Sequence, residues 1–225
     1  MKLAKNHIDV GLFSNLRDEQ LAFWQHDVGL TYDHMGKLGG GMQQHRHHMN
    51  GSILKMNHAR DPLPKVPASG YRELFIAEEG RTSSKTLHDP DGNAVTLVKP
   101  GTDGITGICL AMKVSNRDAF DAFYGEAMQF EEVRAGLYRC GDSLLWAREE
   151  GKVERVDQWH APGFRYTTVQ IFDAAHEHAG ILARGGTEGA PLKMLGDTVR
   201  FSMVRDHDGN WIEISQRASL TGGQL

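Results

Sequence analysis

The sequence predicts an α+β protein made of tandem βαβββ-like units arranged in two halves. Three observations lead there. The openings of the halves superpose without a gap, so that His7 corresponds to Gly107, Phe23 to Phe123 and Leu30 to Phe130 at one constant offset. A turn followed by a strand occurs twice, as His88-Asp89-Pro90-Asp91-Gly92-Asn93 before Ala94-Val98 and as Arg205-Asp206-His207-Asp208-Gly209-Asn210 before Trp211-Ile214. Finally, Ser69-Gly70-Tyr71-Arg72 recurs as Pro162-Gly163-Phe164-Arg165, each leading into a strand.

Each unit has its own local signals. Unit one opens with a strand over His7 to Phe13, a capping Ser14-Asn15 and a helix over Leu16 to Val28 that buries Leu21, Trp24 and Val28. Gly40 to His48 and Gly51 to His58 then form a strand pair. The segment from Arg60 to Pro67 is too proline-rich for a sheet and is a connector. In unit two the interval from Gly70 to Gly92 is less than half that from Gly163 to Gly209, so its helix is missing. Unit three repeats unit one, with a strand over Ile105 to Val114, a cap at Ser115-Asn116 and a helix over Ala119 to Met128 that turns Phe120, Phe123 and Ala127 inward. Strands over Gly136 to Cys140 and Ser143 to Arg148 follow. In unit four Asp173 caps a helix through Leu182 that Gly185-Gly186 stops. The expected organisation is a first half over 1–98, a linker over 99–104, a second half over 105–217 and a frayed tail over 218–225.

Composition excludes several classes of function. The chain has 225 residues, 40% of them hydrophobic and 24% charged, with a formal net charge of −4. That balance gives no basic surface for nucleic acid or an anionic membrane, and no apolar run reaches the roughly 18 residues of a membrane span. The charged start, Met1 to His7, is unlike a secretory signal, and Cys109 and Cys140 form no closely spaced pair. These features point to a reduced, cytoplasmic setting.

Among candidate site residues Glu213 ranks first. Strand alternation places it with Trp211 and Ser215 opposite Ile212 and Ile214, on a largely apolar face where a carboxylate must find a cation, a metal or a proton. In His45-Arg46-His47-His48 the same alternation pairs His45 with His47, and Asn57 and His58 follow on the adjoining strand. Lys55, Arg72, Arg148 and Arg165 either bind an anionic group or neutralise Glu213 and Glu73. Gly39-Gly40-Gly41 lacks the lysine and helix of a phosphate loop and reads as a turn, and hydrolase-elbow, zinc-protease and dinucleotide motifs are absent. Cys109 reads as a packed or pocket-wall thiol.

Phe123-Tyr124-Gly125-Glu126 to Phe130, and Asp208-Gly209-Asn210-Trp211-Ile212-Glu213-Ile214, resemble the helix-end and last-strand motifs of the vicinal oxygen chelate superfamily. That superfamily includes glyoxalase I, methylmalonyl-CoA epimerase, extradiol dioxygenases and bleomycin-resistance proteins. The resemblance implies two curled, mostly antiparallel sheets backed by helices, with a divalent metal (Fe, Mn, Ni or Zn) in a concave face. Carried over by position, it puts the metal ligands of the second half at Glu213, Tyr166 and either Gly107 or Cys109, and those of the first half at His7 or Asp9, with Lys55, Glu73 and Thr96. Two pairings stay open. Units one with two and three with four would follow the extradiol dioxygenases, whereas unit one with four would follow glyoxalase I and bring His7 and Glu213 to one metal.

The resemblance implies a metal-dependent enzyme acting on a small oxygenated substrate, as a glyoxalase-like lyase or isomerase or an extradiol dioxygenase. Glu213 and Tyr166 would be catalytic, and Lys55, Asn57, His45, His47, Trp146 and Arg148 would bind substrate. The rival reading is a metal-free protein that sequesters an organic ligand in the bleomycin-resistance manner. The expected partner is a small molecule, with neither nucleic acid nor membrane, and a homodimer is left open.

Overall fold

The computed structural model describes residues 1–223 and 225. Unit one comprises β1 (Asp9–Ser14), α1 (Arg17–Ala22), β2 (Thr31–Gly39), β3 (Met42–Met49) and β4 (Ser52–Ala59). Unit two comprises β5 (Tyr71–Ala77), β6 (Lys85–His88) and β7 (Ala94–Val98), without a helix. In unit three are β8 (Ile108–Val114), α2 (Arg117–Asp121), β9 (Glu131–Arg134), β10 (Leu137–Cys140) and β11 (Ser143–Glu150). Unit four holds β12 (Gly163–Gln170), α3 (Ala174–Ala183), β13 (Thr187–Leu195), β14 (Val199–Arg205) and β15 (Trp211–Arg217), and a short α4 (Ala218–Thr221) follows. Of the expected tail, Gln224 lies outside the described residues, and residues 218–221 are helical.

The strands form an eight-stranded sheet in the order β13-β14-β15-β12-β1-β4-β3-β2 and a seven-stranded sheet in the order β6-β7-β5-β8-β11-β10-β9. Unit one therefore shares a sheet with unit four, and unit two with unit three. Each sheet takes one unit from each sequence half, which is the exchanged pairing. Both sheets mix parallel and antiparallel pairs: β1 runs parallel to β4 and antiparallel to β12. The strand β2 carries no apolar alternation in Thr31–Gly39 and is mostly exposed, so hydrophobic periodicity gave no sign of it.

The helices depart from the expected regular form in the same way twice. Ordinary helix ends at Ala22 and Asp121, and a π turn follows, closed by Val28 N–H to Phe23 O at 3.0 Å and Met128 N–H to Phe123 O at 2.9 Å. The extra residue in the turn rotates the next side chain, so that adjacent aromatics can both face inward. Phe23 and Trp24 pack edge to face at 5.1 Å, and Phe123 and Tyr124 at 5.0 Å. Leu21, expected in the buried stripe, is left at its margin.

These aromatics tie the sheets together reciprocally. Trp24 donates to Gln20 at 2.8 Å, and the Gln20 amide donates to Asp89 and Asp91 in the turn of unit two. Tyr124 donates at 3.2 Å to Asp206 in the corresponding turn of unit four. Asp89 and Asp206 each accept the backbone and side-chain N–H of an asparagine four residues on, Asn93 and Asn210, which closes the turn around Gly92 and Gly209. Asn210 in turn accepts Gly70 N–H at 2.6 Å, and Asn93 sits where a Cβ on Gly163 would be, 2.8 Å away. The recurring glycines of the Gly70 and Gly163 motifs are thus needed for close approach between units two and four.

Inward positions from both sheets and from α1, α2 and α3 form one cluster that includes Val10, Leu12, Leu54, Leu74, Leu110, Phe120, Ile181, Ile212 and Ile214. Burial of this apolar face fixes the direction of every second side chain and turns the alternate ones toward the opposite faces. Among the described residues no helix is long and apolar enough to cross a membrane.

Candidate functional site

On the eight-stranded sheet a group of residues pointing away from the core comes from five adjacent strands, β15, β12, β1, β4 and β3. Register aligns Asp9 with Thr168, Thr168 with Glu213, Gly11 with both Tyr166 and Lys55, and Lys55 with Arg46. At the centre, Lys55 Nζ lies 3.0 Å from Glu213 Oε2 and 2.6 Å from Thr168 Oγ1, and the threonine hydroxyl donates to the same carboxylate oxygen at 2.8 Å. Lys55 is 3% exposed and the Glu213 side chain 17%, so the pair is sunk in the concave face of the sheet, hereafter the cup, with the carboxylate the more exposed of the two.

Burial alone would raise the Glu213 carboxyl, but the charge and hydrogen bond of Lys55, joined by Thr168, outweigh it and hold the group below its ordinary value. Glu213 is therefore ionised at neutral pH. The Tyr166 phenol moves the other way, raised by burial and then by the charge of Glu213, and stays protonated. Its hydroxyl accepts from Asn57 at 3.2 Å and Gln44 at 3.4 Å. Its ring lies flat on Gly11, where a Cβ would meet Tyr166 Cε1 at 2.0 Å. Only glycine leaves room for that ring.

The surroundings are cationic. Lys5 bonds Asp9 at 2.6 Å, Arg46 reaches Gln44 at 3.0 Å, and Arg217 feels Arg46, Glu213 and Asp9. Four cations, Lys5, Lys55, Arg46 and Arg217, thus stand against the carboxylates Asp9 and Glu213, with Asp33 at 3.9 Å from Arg46 on the rim. Burial and then the neighbouring Arg46 lower the Arg217 pKa, as expected of guanidiniums crowded without enough negative charge. The other end is aromatic: Trp159 lies 5.5 Å from both Phe13 and Tyr166 and 5.9 Å from Trp211.

The expected site residues divide into three groups. Glu213, Tyr166, Lys55 and Asn57 converge. His7 does not join them: its imidazole is 3.9 Å from Asp142 and packs where a Cβ on Gly51 would lie, so it shares no partner with Glu213. The expected common metal of His7 and Glu213 is corrected accordingly, because β1 begins only at Asp9 and the preceding residues turn toward the β10–β11 hairpin, where Asn6 O accepts Asp142 N–H at 2.7 Å. His45 and His47 are corrected too, since they stand on the core face of β3 opposite Met56 and Leu54, and the cup-facing residues of that strand are Gln44 and Arg46.

Trp146 and Arg148 belong to the other sheet. There Arg148 bonds Glu73 at 2.7 Å and lies over Phe75 and Trp146, while Thr96 holds the other Glu73 oxygen. That face is filled by Phe75, Cys109, Ala111, Leu137 and Leu144, and burial pushes the Cys109 thiol up to about 12. Arg165 spends its guanidinium on the carbonyls of Pro67, Ala161 and Pro162, a structural clamp on two connectors. Thr168 and Arg46 were missed in the sequence, although Thr168 shares the face of Tyr166 two residues on. Trp159 lies in a connector and gave no periodic signal.

His47 yields a separate expectation. It is fully buried, neither ring nitrogen is hydrogen-bonded among the described residues, and burial, then His45, lowers its pKa to about 4. The unfolded chain takes up this proton near pH 6.5 and the folded chain only near 4, so stability falls as pH drops through that window. Urea unfolding of H47L between pH 7 and 4 is expected to show a shallower fall than the parent protein, and an equally steep fall would assign the loss to other groups.

The donor set does not fit a divalent metal. The first-strand and last-strand positions of the cup carry Asp9, Gly11, Lys55 and Glu213 with no imidazole among them, His160 packs its ring on Phe13 and Trp159 at the aromatic end, and a lysine ammonium already sits against the one central carboxylate. Among the described residues no group of three or more His, Cys, Asp or Glu side chains could hold an ion. A metal at Glu213 would have to displace a buried cation.

No protein-family model matches the sequence, and comparison with curated proteins finds no match. Solved structures do match in shape. Glyoxalase I from Zea mays superposes with a TM-score of 0.73 at 11% identity, over 93% of this chain and 92% of that one. A putative dioxygenase from Bacillus subtilis subsp. subtilis str. 168 gives 0.66 at 13% identity, over 96% of this chain and 86% of that one. At such identities the likeness carries the fold and not the chemistry. The two mixed, helix-backed sheets with paired βαβββ units, together with these neighbours, show that the chain has the vicinal oxygen chelate fold.

Proposed function

We propose that the cup of the eight-stranded sheet binds a small oxygenated organic anion through the protein's own cations, without a metal. The Lys55–Glu213 bond at its centre carries this reading. In that position the ammonium neutralises Glu213, and Arg46 and Arg217 on the rim retain charge for a carboxylate or enolate oxygen. Half-buried Trp159 and Trp211, packed on the buried cluster of Phe13, Tyr166 and Met203, supply a wall for a flat or apolar part of the same molecule. With Glu213 held ionised and Tyr166 held protonated, these two groups fix charge and orientation and are not poised to exchange protons near neutrality. The arrangement favours ligand binding or sequestration over a metal-dependent lyase or dioxygenase.

The test combines metal analysis with titration of tryptophan fluorescence, on protein purified without an affinity tag or chelator. Substoichiometric metal is expected, with saturable quenching by aromatic carboxylates, none by the matching amides, and no effect of EDTA. One metal per chain, together with binding that EDTA abolishes, would overturn the proposal in favour of the metal enzyme.

A further inference from the structure

A concavity of about 400 Å³ lies at one end of the eight-stranded sheet, lined by Arg17, Lys37, His58 and Arg60 with Met42, Gln43 and the glycine turn. These residues come from α1, the facing ends of β2 and β3, and the end of β4, so the fold gathers them from separate parts of unit one. Three permanent cations converge there, and no carboxylate lines the cavity.

Arg17 directs Nε to Asp18 at 2.7 Å, and Arg60 grips Asp61 side-on, through Nε at 3.0 Å and Nη2 at 3.4 Å. That arrangement keeps both terminal amino groups of Arg17, and Nη1 of Arg60, for a second acceptor. Gly39, Gly40 and Gly41 all have positive φ (85°, 56° and 79°), and the turn they form brings Gly41 O to Arg60 N–H at 3.2 Å. A Cβ on Gly41 would come within 3.2 Å of Arg60 Cζ, so the glycine lets the guanidinium lie against the turn.

His58 supplies the inner wall. Its Nδ1 is buried and has no hydrogen-bond partner among the described residues. Burial lowers its pKa and Arg17 lowers it further, Asp18 opposing, while His45 is the neighbouring histidine on the adjoining strand. Arg17 thus adds positive potential at the ring, offset in part by Asp18, and Lys37 is the lining cation for which no ion pair is formed among the described residues.

We propose that this cavity is an oxyanion site, separate from the cup, that takes a small molecule bearing a phosphate or carboxylate group. Arg17, Arg60 and Lys37 hold the oxygens at the mouth and His58 faces them from within.

The test follows the His58 ring by NMR and measures binding of inorganic phosphate and of citrate by calorimetry, with ionic strength held constant by chloride. Saturable binding is expected, with the His58 pKa rising by about one unit as an anion arrives beside it. K37Q and R60Q, at exposed positions where the fold should be unaffected, are each expected to weaken binding about tenfold, as for loss of one charge-assisted contact. An unchanged thermal midpoint in both variants checks that they fold. Binding of phosphate alone assigns the site to a phosphate ligand, and binding of citrate alone to a carboxylate. Failure of both, a response equalled by chloride, or affinity untouched in K37Q and R60Q would overturn the proposal.

Discussion

Lys55→Met is expected to destabilise the protein by about 3 kcal/mol at neutral pH, the usual scale for removing one partner of a buried ion pair. Glu213 would keep its burial and lose its main source of positive charge. The pH dependence has a definite sign. In the parent protein the folded Glu213 pKa is depressed below 4.5, so the pair's contribution is present above that value and lost as pH falls through the lower folded value. Without Lys55 the carboxyl is governed by burial and its pKa rises, so protonation relieves the variant. The deficit measured by urea unfolding should therefore be largest near pH 7 and shrink toward pH 4. K55M/E213M, which removes both charges, should recover most of the loss. A deficit that persists unchanged in acid would mean that packing of the lysine stem, and not its charge, stabilises the cup.

Gly11→Ala is expected to cost about 2–3 kcal/mol, combining overpacking with a lost hydrogen bond. The new methyl would occupy the place of the Tyr166 ring, whose nearest atoms are 2.0–2.4 Å from it. To make room the ring must leave Asn57 and Gln44, which both donate to its hydroxyl. The backbone at Gly11 has no positive φ, so space alone is at issue. A double-mutant cycle separates the causes: in a Y166A background G11A should cost little, and G11A should also abolish carboxylate binding in the cup. An equal penalty in both backgrounds would place the strain in β1 itself.

The two variants also show where sequence and tertiary structure divide the work. Strand alternation put Glu213 opposite Ile212 and Ile214, the turn residues placed the hairpins before β7 and β15, and the constant offset between His7–Leu30 and Gly107–Phe130 disclosed the repeat. The first two rest on interactions within a few residues of each other, where side-chain direction and turn geometry follow from the local chain, and the third on the same local pattern occurring twice. The π turns at Phe23 and Phe123 were not legible, because the adjacent inward aromatics that require them fit a regular helix pattern equally poorly on either side.

Partners across the sheet were decided only by folding. Alternation tells which face a residue takes and not which strand lies beside it, so Lys55 could be read as anion-binding or neutralising until β1 and β12 joined units one and four. That junction set the lysine against a carboxylate 158 residues away and gave Glu213 its counter-charge. One residue of register on β3 decided that Arg46 faces the cup and that His45 and His47 face the core. The sequence by itself determined the units, their turns and the face on which Glu213 stands. The tertiary structure alone determined the company it keeps, because that depends on contacts between segments distant in the chain, for which local periodicity carries no information.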